Sequence, residues 1–260
     1  MTAQAILRTE LITKNYQGNP VIENISLEVG QGEIVALIGQ SGVGKSTLFN
    51  LIAGISQPDG GRVWLKDEDI TGQAGKISYM QQKDLLLPYK TVLENVALPF
   101  VLAGKPRKEA LNQAKEHFPR FGLTGTENYY PSQLSGGMRQ RAALLRTWLF
   151  GGQAALLDEP FSALDPLTRR QMHNWYLHLM EELALPSLLI THDVNEAVLL
   201  ADRVYVMAGN PGKIVFCLPI KQKRPRPDDF ELSALFSQSK GQLLVFLMNN
   251  ADTVRHVPAK

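Results

Sequence analysis

The stretch "IGQSGVGKST", residues 38–47, decides how the chain is read. It satisfies the pattern G-x-x-x-x-G-K-[ST]: Gly39, Gly42 and Gly44 permit a tight backbone path through Gln40, Ser41 and Val43 that turns successive N–H groups toward phosphate oxygens. In such a cradle Lys45 bridges the β- and γ-phosphates, and the hydroxyl of Ser46, next to Thr47, ligates Mg2+. The flanks agree. "GEIVALIG", residues 32–39, is the continuous apolar run of a strand covered on both faces, and "KSTLFNLIAGI", residues 45–55, spaces Leu48, Leu51, Ile52 and Ile55 as a helix does. Strand, glycine loop and helix in succession imply a bound nucleoside triphosphate.

A carboxylate motif adds chemistry. In "AALLDEP", residues 154–160, a buried-strand pattern carries Asp158 to the carboxyl end of a sheet, where it can hold the Mg2+ shell. Glu159 then points elsewhere and can orient or deprotonate an attacking water. A strand ending in a turn with helix-capping acids is the plainer reading of these residues alone. With the phosphate loop they read as an ATPase. A second anion grip stands in "LSGGMRQR", residues 134–141, where a Ser and two Gly directly precede a helix-like segment at 138–150. The start of that helix offers unpaired N–H groups and the positive end of its dipole.

Around these motifs the pattern is α/β. "AILRTELITKNY" (5–16) and "VIENISLEV" (21–29) alternate as half-buried strands. Residues 83–150 are mostly helical in pattern, broken at Pro88, Pro99, Pro106, Pro119 and Pro131, as an inserted helical subdomain would be. From residue 153 strand and helix signals alternate, with a helix from Asp165 that has Pro166 at its start, then "SLLITHD" (187–193), "VNEAVLLA" (194–201) and "RVYVMA" (203–208). A mostly parallel sheet flanked by helices follows. "FELSALFSQSKGQLLVFLMNN" (230–250) predicts a last helix, weakened by Gly241.

Bulk properties narrow the function. A net charge of +2 gives no basic field for nucleic acid, and the single Cys217 fits a reducing compartment. Residues 1–16 carry charges where an export signal needs its apolar core, and no apolar run is long enough to span a bilayer, so membrane association is expected to be peripheral.

The phosphate loop, "LSGGMRQR", "LLDEP" (156–160), "SALD" (162–165) and "LITHD" (189–193), in this order, resemble the ATP-binding cassette family over about residues 5–218. The resemblance implies a P-loop NTPase core with an antiparallel N-terminal β subdomain and a helical subdomain at about 83–150. The cassette would occupy residues 1–220, with a tail at 221–260. It also implies a head-to-tail dimer, with each ATP held between the phosphate loop of one subunit and the signature of the other, through Ser135, Gly136 and Gly137. By the same resemblance Tyr16 stacks on adenine, Gln82 joins the Mg2+ and water shell, Asp165 links the two sites, and His192 reaches the γ-phosphate. Gln82 is favoured over Gln81 because the family places three residues between this glutamine and "LLP". Asp165 also suits a helix cap. His117, His173, His178 and His256 have no such context.

The apolar loop Leu85–Leu86–Leu87–Pro88–Tyr89 reads equally as core or as a landing surface, and in import cassettes this region receives a cytoplasmic helix of the permease. "LLPYKTVLENVALP" and "VMAGNPGKIVFCLPIKQKRPRPDD" resemble a narrower branch, the importers of nitrate, taurine, alkanesulfonates and thiamine precursors. Tyr89 and "NPGKIV" depart from that branch's usual Trp and "RPGRIV". The implied partners are a second cassette, a membrane permease at the cytoplasmic face of a bacterial inner membrane and, indirectly, an extracytoplasmic solute-binding protein. Lipid- or lipoprotein-moving ATPases and soluble cassette factors are the competing readings. The basic stretch Lys221, Lys223, Arg224 and Arg226, interleaved with proline, reads as a stiff solvated connector, with attraction to anionic lipid near the permease as the functional alternative.

Overall fold

A computed structural model describes residues 5–227 and 229–249. The chain opens with β1 (Ala5–Tyr16) and β2 (Asn19–Gly30), an antiparallel pair in which Tyr16 lies opposite Asn19. β3 (Ile34–Gly39) leads through the phosphate loop into α1 (Lys45–Ile52). β4 (Gly60–Leu65) and β5 (Glu68–Asp69) complete a four-stranded antiparallel sheet in the order β2-β1-β4-β5.

β6 (Ser78–Met80) returns the chain to the main sheet. The helical segment follows, with α2 (Val92–Val96), α3 (Leu98–Leu102), α4 (Arg107–Lys115) and α5 (Gly136–Leu149). Then come β7 (Ala155–Asp158), α6 (Pro166–Leu183), β8 (Ser187–Ile190), α7 (Val194–Leu200), β9 (Arg203–Ala208), β10 (Lys213–Pro219) and α8 (Ala234–Asn249). The main sheet has the order β10-β9-β3-β8-β7-β6, parallel throughout except for the β9/β10 edge. It is an α/β P-loop fold.

The unbroken apolar run of β3 has a direct cause. Ile34, Ala36 and Ile38 feed one core, shared with Val92, Leu145 and Tyr176 from the helices and Phe118 from the turn after α4. Val35 and Leu37, on the opposite face, feed a second core with Ile25, Leu27, Leu48 and Phe49 beneath the antiparallel sheet. Successive strand side chains point to opposite faces, so a strand between two cores is apolar at every position. Each fully buried Leu or Ile contributes about 1.5–3 kcal/mol.

The connector after β10 differs from the solvated stretch expected. Lys221 and Lys223 are exposed, but the Arg224 guanidinium donates to both carboxylate oxygens of Asp202 (2.9 and 2.8 Å) and to the Gly32 carbonyl (2.8 Å). Arg226 is buried, donates to the Leu199 and Ala201 carbonyls at the end of α7, and lies over the Phe230 ring. Two of the four charges are therefore anchors: cations neutralise the negative end of a helix and leave its last carbonyls satisfied. Burial lowers the Arg226 pKa to about 10. Beyond it, Phe236 and Leu243 of α8 are buried in the same core as Val198 and Leu200 of α7. Phe246 stacks on Phe216 at 3.8 Å. The predicted last helix thus packs on α7 and β10; its end at Asn250, and His256, lie outside the described residues.

Candidate active site

The sheet order places the motifs. β3, β8, β7 and β6 are consecutive neighbours and parallel, so their carboxyl ends line up on one edge. From those ends come, in turn, the phosphate loop, His192, the pair Asp158 and Glu159, and Gln82. Ile190 of β8 stands opposite both Leu37 of β3 and Asp158 of β7, which fixes their relative height. A cavity of about 520 Å3 opens there, lined by Ser41, Gly42, Gly44, Lys45, Ser46, Thr47, Gln82, Asp158, Glu159 and His192, together with Val21 and Ile190.

Backbone geometry builds the cradle. Gly44 caps α1 in a left-handed conformation at φ 107°, and a Cβ there would stand 2.4 Å from Ile22 Cγ2. At Gly39 a Cβ would meet the Met207 carbonyl at 2.4 Å. No side chain caps α1 and no acid occupies its first turn, so its N–H groups remain available to an anion. Lys45 Nζ donates to the carbonyls of Gly39 and Gln40, both at 2.8 Å, which stretches the lysine back along the loop. Val43 is buried in the core beneath the antiparallel sheet; it shapes the loop from below. Gly39, Gln40 and Val43 thus support the cradle rather than line the cavity.

The two carboxylates diverge. Asp158 is buried and accepts from Ser46 Oγ at 3.2 Å. Burial holds its pKa above the ordinary aspartate value, opposed by the Ser46 hydrogen bond and raised further by Glu159. Burial likewise lowers the Lys45 pKa, while Glu159 and Asp158 pull it back up. A hard cation beside Asp158 and a phosphate beside Lys45 would each favour the charged form that burial disfavours. The hydroxyl and carboxylate of Ser46 and Asp158 are oxygen donors of the kind Mg2+ takes in nucleotide sites, where phosphates and waters supply the rest. Among the described residues no cluster of three or more His, Cys, Asp and Glu forms an independent metal cage.

Glu159 sits at φ 46°, a conformation that turns the chain sharply after Asp158. Its backbone N–H donates to Ile190 O (2.9 Å), and its own carbonyl accepts from the Ser162 hydroxyl (3.0 Å). Its Oε2 receives Gln82 Nε2 at 3.1 Å and lies 3.1 Å from His192 Nδ1. A carboxylate, an amide and an imidazole thus converge in the cavity that Lys45 also lines, a set that could orient a water toward a terminal phosphate. Gln81 takes no part in this cluster.

The other residues singled out from sequence lie elsewhere. Ser135 caps α5 by accepting from Met138 N (3.3 Å), and the half-buried Gly136 and buried Gly137 form the first turn of that helix. A Cβ on Gly137 would approach Thr168 Cγ2 to 3.1 Å, so part of its role is close packing on α6. Asp165 caps α6 by accepting from Thr168 N (3.0 Å), which holds its pKa below the usual value. Tyr16 is 45% exposed at the end of β1. None of these five lines the cavity.

Sequence reasoning passed over His173 and Glu196, both buried and facing each other at 3.4 Å. The periodicity of α6 held a signal: Met172, His173, Tyr176, Leu177 and Met180 form one buried face, with the histidine on it.

Motifs ranked along neighbouring strand ends in this way define a P-loop ATPase. The chain belongs to the ABC transporter family, whose model matches residues 22–162, and within it to the importer branch of ATP-hydrolysing subunits. It is 50% identical over 207 residues to the formylaminopyrimidine import ATP-binding protein ThiZ of Halalkalibacterium halodurans, covering 79% of this chain and 81% of that protein. It is 41% identical over 213 residues to the taurine import ATP-binding protein TauB of Pseudomonas putida, with 81% of each covered. Among solved structures it is similar to cbiO1 from Clostridium perfringens, part of the cbiONQ transporter complex, with TM-score 0.74, 26% identity, and 82% and 88% of the two chains covered. It also resembles the cassette MJ0796 in a dimeric post-hydrolysis state bound to ADP and Pi, with TM-score 0.71, 28% identity, and 84% and 100% covered.

Proposed function

We propose that two copies of this chain close head to tail around two Mg-ATP molecules and that hydrolysis, by reopening them, drives uptake of a small organic solute through a membrane permease. The observation that carries this reading is the half-built cavity. One side presents Lys45, Ser46, Asp158, Gln82, Glu159 and His192, whereas the anion-ready turn at Ser135, Gly136 and Gly137 lies outside it. A second copy would supply that turn to the γ-phosphate, making the nucleotide part of the interface. Asp165 would link the two sites, and Tyr16 would stack on adenine.

Within the cavity Lys45 and the N–H groups of α1 bind the phosphates, and Ser46 and Asp158 would hold Mg2+. When bound, Mg2+ supplies neutralisation of the β- and γ-phosphate oxygens. Glu159, steadied by Gln82 and His192, orients the water and takes its proton. His192 also reads the terminal phosphate.

Transmission to the membrane has a physical route. Asp84, two residues after Gln82, pairs with Arg139 in the first turns of α5 at 3.3 Å. Buried Asn95 holds the Leu87 N–H and the Leu87, Lys90 and Thr91 carbonyls, so the loop moves as a unit. Leu86 is buried, but Leu85 and Tyr89 are exposed. Arg146, which donates to the Leu85 carbonyl at 2.8 Å, also lines with Ile55, Tyr79, Leu98, Pro99, Leu102 and Phe150 a mostly apolar groove of about 320 Å3 suited to a permease helix. Among the described residues no helix is long and apolar enough to cross a membrane, so attachment would run through that groove at the cytoplasmic face.

The solute class follows the relatives, a formylated aminopyrimidine or an aminosulfonate such as taurine, delivered by an extracytoplasmic binding protein. Reconstituted with its permease and binding protein in vesicles, the complex should import one of these classes in an ATP-dependent manner. Transport of neither, with intact ATPase activity, would refute the assignment of solute.

A further inference from the structure

We propose that Glu196 is a positioning residue for hydrolysis, holding the His192 loop against the segment between Glu159 and Asp165 through a buried link to Thr191 and His173; the proposal rests on the reading of Glu159 and His192 given above. Glu196 lies in the first turn of α7 and is only 5% exposed. A glutamate in a first turn gains the favour of the helix dipole while still facing water, so its burial needs another cause.

That cause is a set of contacts on both sides of His192. Glu196 Oε2 accepts from Thr191 Oγ1 at 2.8 Å, and the same Thr191 oxygen accepts from Asp193 N at 3.0 Å. The residues before and after His192 are thereby tied to one carboxylate. Glu196 Oε1 faces His173 Nε2 of α6 at 3.4 Å, and neither atom finds a hydrogen-bond partner elsewhere among the described residues. The His173 ring stands edge-on to Phe161, with centroids 5.0 Å apart, and Phe161 is fully buried two residues after Glu159. One helical turn earlier, Arg169 donates to the Leu164 carbonyl at 2.8 Å. The segment from Glu159 to Asp165 and the loop carrying His192 thus rest on the same buried group.

His192 needs such support. Its side chain is 64% exposed and its ring faces Glu159 itself, so its aim depends on its backbone. A displacement of about 1 Å at a reacting group can lower a rate by about a hundredfold.

The test uses the full-length chain and steady-state ATP hydrolysis. Glu196→Leu should lower kcat by about tenfold or more with KM for ATP changed by less than about twofold, whereas Glu196→Gln, which keeps an acceptor for Thr191, should recover to within about threefold of the parent. In a His192→Ala background, Glu196→Leu should change the residual kcat by less than about twofold. An unchanged kcat in Glu196→Leu, a matching loss in Glu196→Gln, or an equal further loss in the His192→Ala background would overturn the proposal. Parent-like hydrolysis by His192→Ala would instead overturn the reading of His192. Should Glu196→Leu fail to fold, Thr191→Val removes the same hydrogen bond and must show the same split.

Discussion

Glu159 occupies a left-handed backbone conformation at φ 46° that costs a side-chain-bearing residue about 1–3 kcal/mol. The turn sends Asp158 toward Ser46 and Glu159 toward Gln82 and His192, so two adjacent carboxylates face different parts of one cavity. Replacing Glu159 by Gln preserves shape and removes the proposed base. Hydrolysis should fall by about 10²–10⁴-fold with ATP affinity retained, measured by phosphate release and equilibrium dialysis. Hydrolysis within about twofold of the parent would reject Glu159 as the base. At Gly44 the constraint is steric as well as conformational. Gly44→Ala should abolish ATP binding and lower stability by about 1–3 kcal/mol in chemical unfolding, because its Cβ would enter Ile22 at 2.4 Å.

Helix starts are the elements on which this site depends, and their sequences show why they differ. α1 begins at an uncapped glycine and leaves its N–H groups for a ligand; α6 begins at Asp165, whose carboxylate takes one of those donors for the fold. Asp165→Ala should therefore lower stability by about 1 kcal/mol in denaturant melts, separately from any effect on turnover. Equal stability of the variant and parent would remove the cap from the account. Elements with a strong local signature were legible in advance: β3 from its unbroken apolar run, α1 from its spacing, Asp158 and Glu159 from a strand ending in acids. The three-residue β6 and the antiparallel pairing of β10 with β9 were not, since a very short strand and a change of strand direction are both fixed by partners outside the segment itself. Arg224 and Arg226 misled for the same reason. Their proline-rich surroundings suggest solvation, while their partners at Asp202, Leu199 and Ala201 lie more than twenty residues away.

For the molecule as a whole, the two faces of the main sheet serve two cores, and the tail helix belongs to one of them. Leu243→Ala should cost about 2–5 kcal/mol in global unfolding, as a deletion within a shared core does. A change below about 0.5 kcal/mol would mean that α8 is an independent appendage. In the proposed head-to-tail dimer the site is completed across two molecules, because the turn that begins at Ser135 lies outside the cavity of its own chain. The most direct test mixes two disabled chains, one carrying Lys45→Ala and the other Ser135→Arg, each also carrying Glu159→Gln to arrest turnover. Native mass spectrometry should find mixed dimers holding a single ATP at the one interface where both halves are intact, and no ATP-bridged dimer from either chain alone. If mixing produces no ATP-bridged dimer, or if Ser135→Arg alone forms one as readily as its parent, the shared site is contradicted.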